Sequence, residues 1–292
     1  MYKIVGYLAL LTHVVGLSQA VHPLEPATNH YLELGKLSAE PNSEKAVLDS
    51  LRFFPESYNS MALLYTQLSP AYLSADQISR LKQSVAFPAN SSEQTRAELD
   101  FLLEWQYKRT EKQEERAAQV LAPIGYWPHI DVMEDHPNYE ENVQDLFFEG
   151  RTLLGDECNA ANYPATAKLL KGITKDMRIM EFTVKYHLLR ARPYVLEPRL
   201  KPLQIMGSPS FASGHTLWAY IQAFAWSELL PDKRERFLEL AYEIGESREI
   251  MGIHYPSDEE AARLLAHRML SAMFPNPLFI DDLRAAKSEW KK

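Results

Sequence analysis

From Phe237 the apolar residues Leu240, Ala241 and Ile244 recur at helical spacing, and the next place on that stripe is taken by Arg248. A stripe with this period is the buried face of an amphipathic helix. A guanidinium placed there is committed to the interior, and it needs partners such as Asp258 or a neighbouring group. The helical period recurs along most of the chain, whereas the strict alternation of a half-buried strand is scarce. The sequence therefore predicts an all-α fold.

Residues 43–53 and 57–68 read as two short helices broken near Pro55. Ser74 and Gln77 form a capping box that opens a helix over 74–85. Residues 92–121 read as one long helix, opened by Ser92-x-x-Thr95 or Ser91-x-x-Gln94, with a solvated face of mixed charge from Lys108 to Arg116. Pro123, Gly125, Pro128 and Pro137 mark 122–139 as a loop. Helical patterns then cover 139–154, 163–189, 215–230, 232–251 and 257–273, with a C-terminal helix from Ile280.

At the N-terminus, Lys3 precedes a mostly apolar run over 4–17, and Ser18-Gln19-Ala20 places small residues at both cleavage-determining positions. Residues 1–20 thus read as a secretory signal peptide cleaved near Ala20, which implies a periplasmic or secreted protein. No later run reaches the roughly 18 apolar residues of a spanning helix, so no stable membrane insertion is expected. Residues 21–60 are expected to be an extension packed on a domain that occupies 61–292. The 292 residues carry a formal charge of −8, a poor match for nucleic acid, so any cations needed for an anion must be gathered locally. Cys158 is the only cysteine, which excludes an intrachain disulfide and leaves no cysteine cluster for zinc. Asn90-Ser91-Ser92 is a formal glycosylation sequon, of consequence only in a eukaryotic secretory pathway.

Three phrases gather those cations. In the first, Lys185 and Arg192 lie seven residues apart, close to two turns, so both side chains are expected to leave one helix face, with Pro193 ending the helix. Arginine offers a planar fork to phosphate oxygens and lysine a point charge. Arg190 is set aside, because it falls about 140° from Lys185 on a helical wheel. In the second phrase, Ser213 is a natural N-cap for the apolar helix 215–230, and Gly214 lets an anion approach the free N–H groups at its start. His215 stands at that mouth, placed to give a proton to a departing oxygen. In the third, His254 precedes Asp258 by four residues. The carboxylate can accept from Nδ1 and leave Nε2 free as a nucleophile. Taken singly, each phrase is also compatible with solvated cations, an ordinary helix cap or a structural Arg–Asp pair.

Together, Lys-x6-Arg-Pro, Pro-Ser-x-x-Ser-Gly-His and Ser-Arg-x5-His-x3-Asp, in that order, resemble the signature of the phosphatidic-acid-phosphatase type 2 (PAP2) and vanadium haloperoxidase superfamily. The similarity is clearest from about Tyr139 onward, where the chain looks like a bacterial class A non-specific acid phosphatase. The resemblance implies a single helical domain with its site at helix ends in the bundle. It implies hydrolysis of small phosphomonoesters, with His254 as the nucleophile that becomes phosphorylated, Asp258 orienting it and His215 serving the leaving group. Lys185, Arg192, Ser213, the Gly214 amide and Arg248 would hold phosphate oxygens. No metal or cofactor is implied, and vanadate would bind as an inhibitor. A homo-oligomer is compatible with this. The phrase from Gly207 to Thr216 is two residues longer than the class A form Gly-Ser-Tyr-Pro-Ser-Gly-His-Thr, which bears on substrate preference. The alternatives are a vanadium-dependent haloperoxidase, with vanadate as cofactor, a soluble lipid-phosphate phosphatase, and a silent phosphate-binding protein.

Overall fold

The computed structural model describes residues 21–54, 60–124, 153–155 and 157–291. The predicted signal peptide, the break near Pro55, and most of the predicted loop 122–139 and helix 139–154 lie outside the described residues. Among the described residues every regular element is helical. In chain order these are α1 (Asn29–Leu34), α2 (Ser60–Tyr65), α3 (Ala75–Gln83), α4 (Glu93–Lys108), α5 (Glu111–Glu115), α6 (Ala122–Ile124), α7 (Pro164–Leu188), α8 (Pro193–Leu196), α9 (Gly214–Leu229), α10 (Arg234–Ile250), α11 (Pro256–Met273) and α12 (Pro277–Glu289). Short 3-10 turns at Ser43–Ser50 and Pro231–Lys233 and a π turn at Arg116–Leu121 join them.

Every residue of α9 is buried. A helix that is apolar all round has no face to offer water and must sit in the middle of a bundle. Accordingly α7, α10 and α11 pack around it, and α12 closes against α7. On α10 the stripe read from the sequence is buried throughout, with Phe237, Ala241, Ile244 and Arg248 all at 0% exposure. Phe237 stacks on Trp226 of α9, ring centroids 5.6 Å apart, and Trp290 meets the same indole edge-on at 5.4 Å.

Segment 21–54 lies along this bundle. The backbone and Nδ1 of His22 meet Glu228 Oε1 at 3.0 and 2.6 Å, Glu25 pairs with Arg234, and Phe53 N–H donates to Leu189 O at 2.9 Å.

Three predicted boundaries need correction. The helix expected over 92–121 breaks after Lys108, because Arg109 is extended and Thr110 starts a new helix through a reciprocal capping box with Gln113. The C-terminal helix begins at Pro277, capped by Asn276, rather than at Ile280. The third boundary bears on the site. Helix α7 ends at Leu188, where Leu189 adopts φ 53° and returns its N–H to Lys185 O. Arg192 is therefore not on that helix, and Pro193 is the opening residue of α8 rather than the terminator of α7. Arg192 is 1% exposed, so it is not a solvated cation.

Phe237→Ala should destabilise the protein by about 3–5 kcal/mol, the usual loss for a buried aromatic, since it removes the stacking partner of Trp226 at the bundle centre. Denaturant unfolding would measure this. A loss below about 1 kcal/mol would mean that α9 and α10 do not depend on that contact.

Candidate active site

The burial of α9 carries its N-terminus into the protein interior. Ser213 caps it, its Oγ accepting from Thr216 N–H at 3.5 Å and donating to Thr216 Oγ1 at 3.1 Å. The Ser213 N–H donates to Asp258 O at 3.2 Å, which ties the start of α9 to the first turn of α11. At Gly214 a Cβ would overlap the Glu181 carboxylate, so any larger residue there would displace that side chain. That carboxylate is held by Arg178 Nη1 at 2.7 Å, and both residues are buried. The chain thus places an anionic group of its own against the helix start, where the positive dipole end favours one.

Lys185 and Arg192 do converge, by a different route from the predicted shared face. Chain reversal after Leu188 brings Arg192 back beside Lys185, and both donate to the 208–210 backbone. Lys185 Nζ reaches Pro209 O at 2.8 Å and Ser210 O at 3.1 Å. Arg192 Nε donates to Ser208 O at 2.9 Å, and its Nη2 donates to Pro209 O at 3.1 Å. Its Nη1 donates to Ile253 O at 2.8 Å and to His254 Nε2 at 2.9 Å. Burial, then the charge of Arg192, lowers the Lys185 amine to about 7.

His254 Nδ1 meets Asp258 Oδ2 at 3.0 Å, as the four-residue spacing predicts. With the proton on Nδ1, Nε2 is left to accept from Arg192. Asp258 Oδ2 also accepts from Ser210 Oγ at 2.5 Å and Tyr255 N–H at 3.1 Å. The guanidinium that pairs with Asp258 belongs to Arg190, not to Arg248. Arg190 Nη1 donates to Oδ1 at 2.6 Å, and both side chains are fully buried. Burial alone would raise the Asp258 carboxyl, but Arg190 and His254 outweigh it and hold it well below the ordinary carboxylate range. Arg190 was set aside on a helical wheel that stops applying at Leu188. The short Arg-x-Arg-Pro run around the helix end was the local signal available for it.

Arg248 is as buried as its stripe predicts, but it turns to Ser247 Oγ, at 3.0 and 2.8 Å, and to Ala117 O at 3.0 Å. His215 shares that wall, with Nε2 at 2.8 Å from Ala122 O. The turn 116–121 and α6 therefore flank these two side chains, a pairing across the chain that no short motif announces. Burial, then Arg248, lowers the pKa of His215 well below the ordinary histidine value. For His254 the causes are burial, then Arg192, in the same direction. Among the described residues no group of three or more His, Cys, Asp or Glu could hold a metal ion. No described helix is long and apolar enough to cross a membrane.

Residues 161–277 match the model of the PAP2 superfamily. A non-specific acid phosphatase of Providencia stuartii is 39% identical over 83 residues, which span 28% of this chain and 34% of that protein. A non-specific acid phosphatase of Salmonella typhimurium is 26% identical over 162 residues, 53% of this chain and 64% of that protein. The matches thus span from a third to just under two thirds of those relatives' lengths. Among solved structures, a bacterial vanadium-dependent iodoperoxidase superposes with a TM-score of 0.50 at 15% identity, covering 80% of this chain and 62% of that one. That likeness concerns the fold alone.

The two depressed imidazoles make a testable contribution to stability. Each is neutral in the folded, ligand-free protein and takes up its proton on unfolding, so stability falls as pH drops below about 6.5, by up to ~1.4 kcal/mol per pH unit for each histidine. Urea midpoints between pH 7 and 5 should therefore decline more steeply for wild type than for the His215→Gln/His254→Gln variant. Parallel declines would mean that neither ring is held neutral.

Proposed function

We propose that the chain is an acid phosphatase that hydrolyses phosphomonoesters through a phosphohistidine at His254, and that it acts in the periplasm or outside the cell. The observation that carries this reading is the orientation of His254. Its Nδ1 is taken by Asp258, its Nε2 meets the buried Arg192, and the charge of Lys185 also acts on the ring. Support also comes from the relatives named non-specific acid phosphatase. The location rests on the signal-peptide pattern of residues 1–20.

In this mechanism the Nε2 lone pair attacks phosphorus and the bond to the ester oxygen breaks. His215 delivers a proton to the leaving alcohol. Water then loses a proton to His215 and attacks the phosphohistidine, and the N–P electron pair returns to Nε2. Lys185, Arg192, Arg248, Ser213 and the Gly214 amide hold the phosphoryl oxygens and stabilise the charge that develops on them. A phosphate anion beside His215 opposes the burial and the Arg248 charge that keep this ring neutral, so substrate itself promotes the protonated acid.

Hydrolysis of p-nitrophenyl phosphate should persist in EDTA, with kcat/KM highest on the acid side of neutrality and vanadate inhibiting. His254→Ala should abolish turnover. Asp258→Asn should lower kcat by about three to four orders of magnitude while phosphate still binds. Acid quenching of wild type during turnover with labelled substrate should trap an acid-labile phosphoryl group on His254. Turnover without that adduct, or an alkaline optimum, would rule out these roles.

A further inference from the structure

We propose that Glu98 and Arg190 are positioning residues for this reaction, fixing the Asp258 carboxylate and, through it, the ring of His254. The proposal rests on the mechanism above and adds residues that none of the three sequence phrases assigns. Glu98 comes from α4, outside the matched residues 161–277. It is 0% exposed, a rare place for a carboxylate.

The two oxygens of Asp258 are divided between two tasks. Oδ2 serves His254, Ser210 and the Tyr255 N–H, while Oδ1 is occupied by Arg190 Nη1. With Oδ1 held, the carboxylate cannot turn about its own axis and take Oδ2 away from Nδ1. Arg190 is itself clamped. Its guanidinium lies 3.8 Å from the centre of the Tyr255 ring and 5.0 Å from that of Phe87. Its Nη2 donates to Glu98 Oε2 at 3.3 Å, and its Nη1 also donates to Ser257 Oγ at 2.8 Å. Glu98 closes the arrangement by accepting from Ser257 N–H at 3.1 Å and Ser257 Oγ at 2.8 Å. One carboxylate thereby fixes both the guanidinium and the first turn of α11, which carries Asp258.

A buried ion pair is weak grounds for stability on its own, because desolvation offsets much of the attraction. Orientation is what the fork geometry supplies here. Among the described residues, no hydrogen bond of either side chain reaches Lys185, Arg192, Ser213 or Arg248. The arm should therefore act on His254 without changing how the cradle holds an anion.

Removing Arg190 alone would leave Glu98 and Asp258 as facing charges and put folding at risk, so the informative variant is Glu98→Gln/Arg190→Met. Arg190→Lys, which keeps the charge but loses the fork, is its companion. Histidine nitrogen NMR on the full chain reads the tautomer of His254 directly. Wild type should show a single neutral form protonated at Nδ1, and both variants a mixture of tautomers. For p-nitrophenyl phosphate, kcat should fall about a hundredfold in the double variant, as for a reacting group misplaced by an ångström, with KM and vanadate affinity within about twofold. A folded variant that keeps the wild-type His254 tautomer overturns the proposal whatever its kcat. If wild type fails to hydrolyse the ester, the phosphatase reading falls, and the His254 resonances still decide the positioning role.

Discussion

The structure is organised around one buried carboxylate. Asp258 is 0% exposed, and its side chain meets Arg190, His254, Ser210 and the Tyr255 backbone, while its main-chain oxygen accepts from Ser213 N–H. An unpaired carboxylate at this depth would take up a proton rather than remain charged. The partners reverse that outcome, and they come from separate parts of the chain: the return after α7, the loop 208–213, and the starts of α9 and α11. The helix ends therefore have to meet at one point for the charge to be tolerated. The geometry that reactive chemistry needs and the geometry that folding needs are set by the same bonds.

The central helix supplies the other constraint. Because α9 is buried on all sides, its first N–H groups and its dipole end are buried as well, in surroundings where their partial charge is little screened. Gly214 leaves room for a negative group against the backbone, and in this structure the Glu181 carboxylate, tied to Arg178, lies beside that glycine. An anionic substrate entering at the helix start would meet a negative side chain already paired with a buried cation.

Local features were legible in the sequence, and long-range pairings were not. Helix periods, the capping box at Ser74, the cap at Ser213, the stripe ending in Arg248 and the His254–Asp258 spacing all depend on residues a few positions apart. The same reasoning failed where a local rule was carried past its range. A helical wheel joined Lys185 to Arg192 and discarded Arg190, because nothing in the side-chain pattern marks the left-handed turn at Leu189. The break after Lys108 was signalled by Thr110 and Gln113, but the run of helix-forming charged residues on either side concealed it. Glu98 could not have been assigned at all. Its partners Arg190 and Ser257 lie 92 and 159 positions away, and a glutamate on an amphipathic helix gives no sign that it faces inward.

The proposed phosphate cradle is held together by bonds that an anion could replace. Lys185 and Arg192 share Pro209 O as an acceptor, and Arg192 extends to His254 Nε2, so these bonds run to neutral acceptors. Exchanging a carbonyl for a charged oxygen strengthens each of these hydrogen bonds. Arg190 is in the opposite situation, fixed between Asp258 and Glu98, and an anion could claim it only by displacing a carboxylate. The division explains why two arginines two positions apart suit different tasks. In the proposed mechanism, the one bonded to carbonyls transfers those bonds to the phosphate, and the one locked between carboxylates holds the geometry of His254.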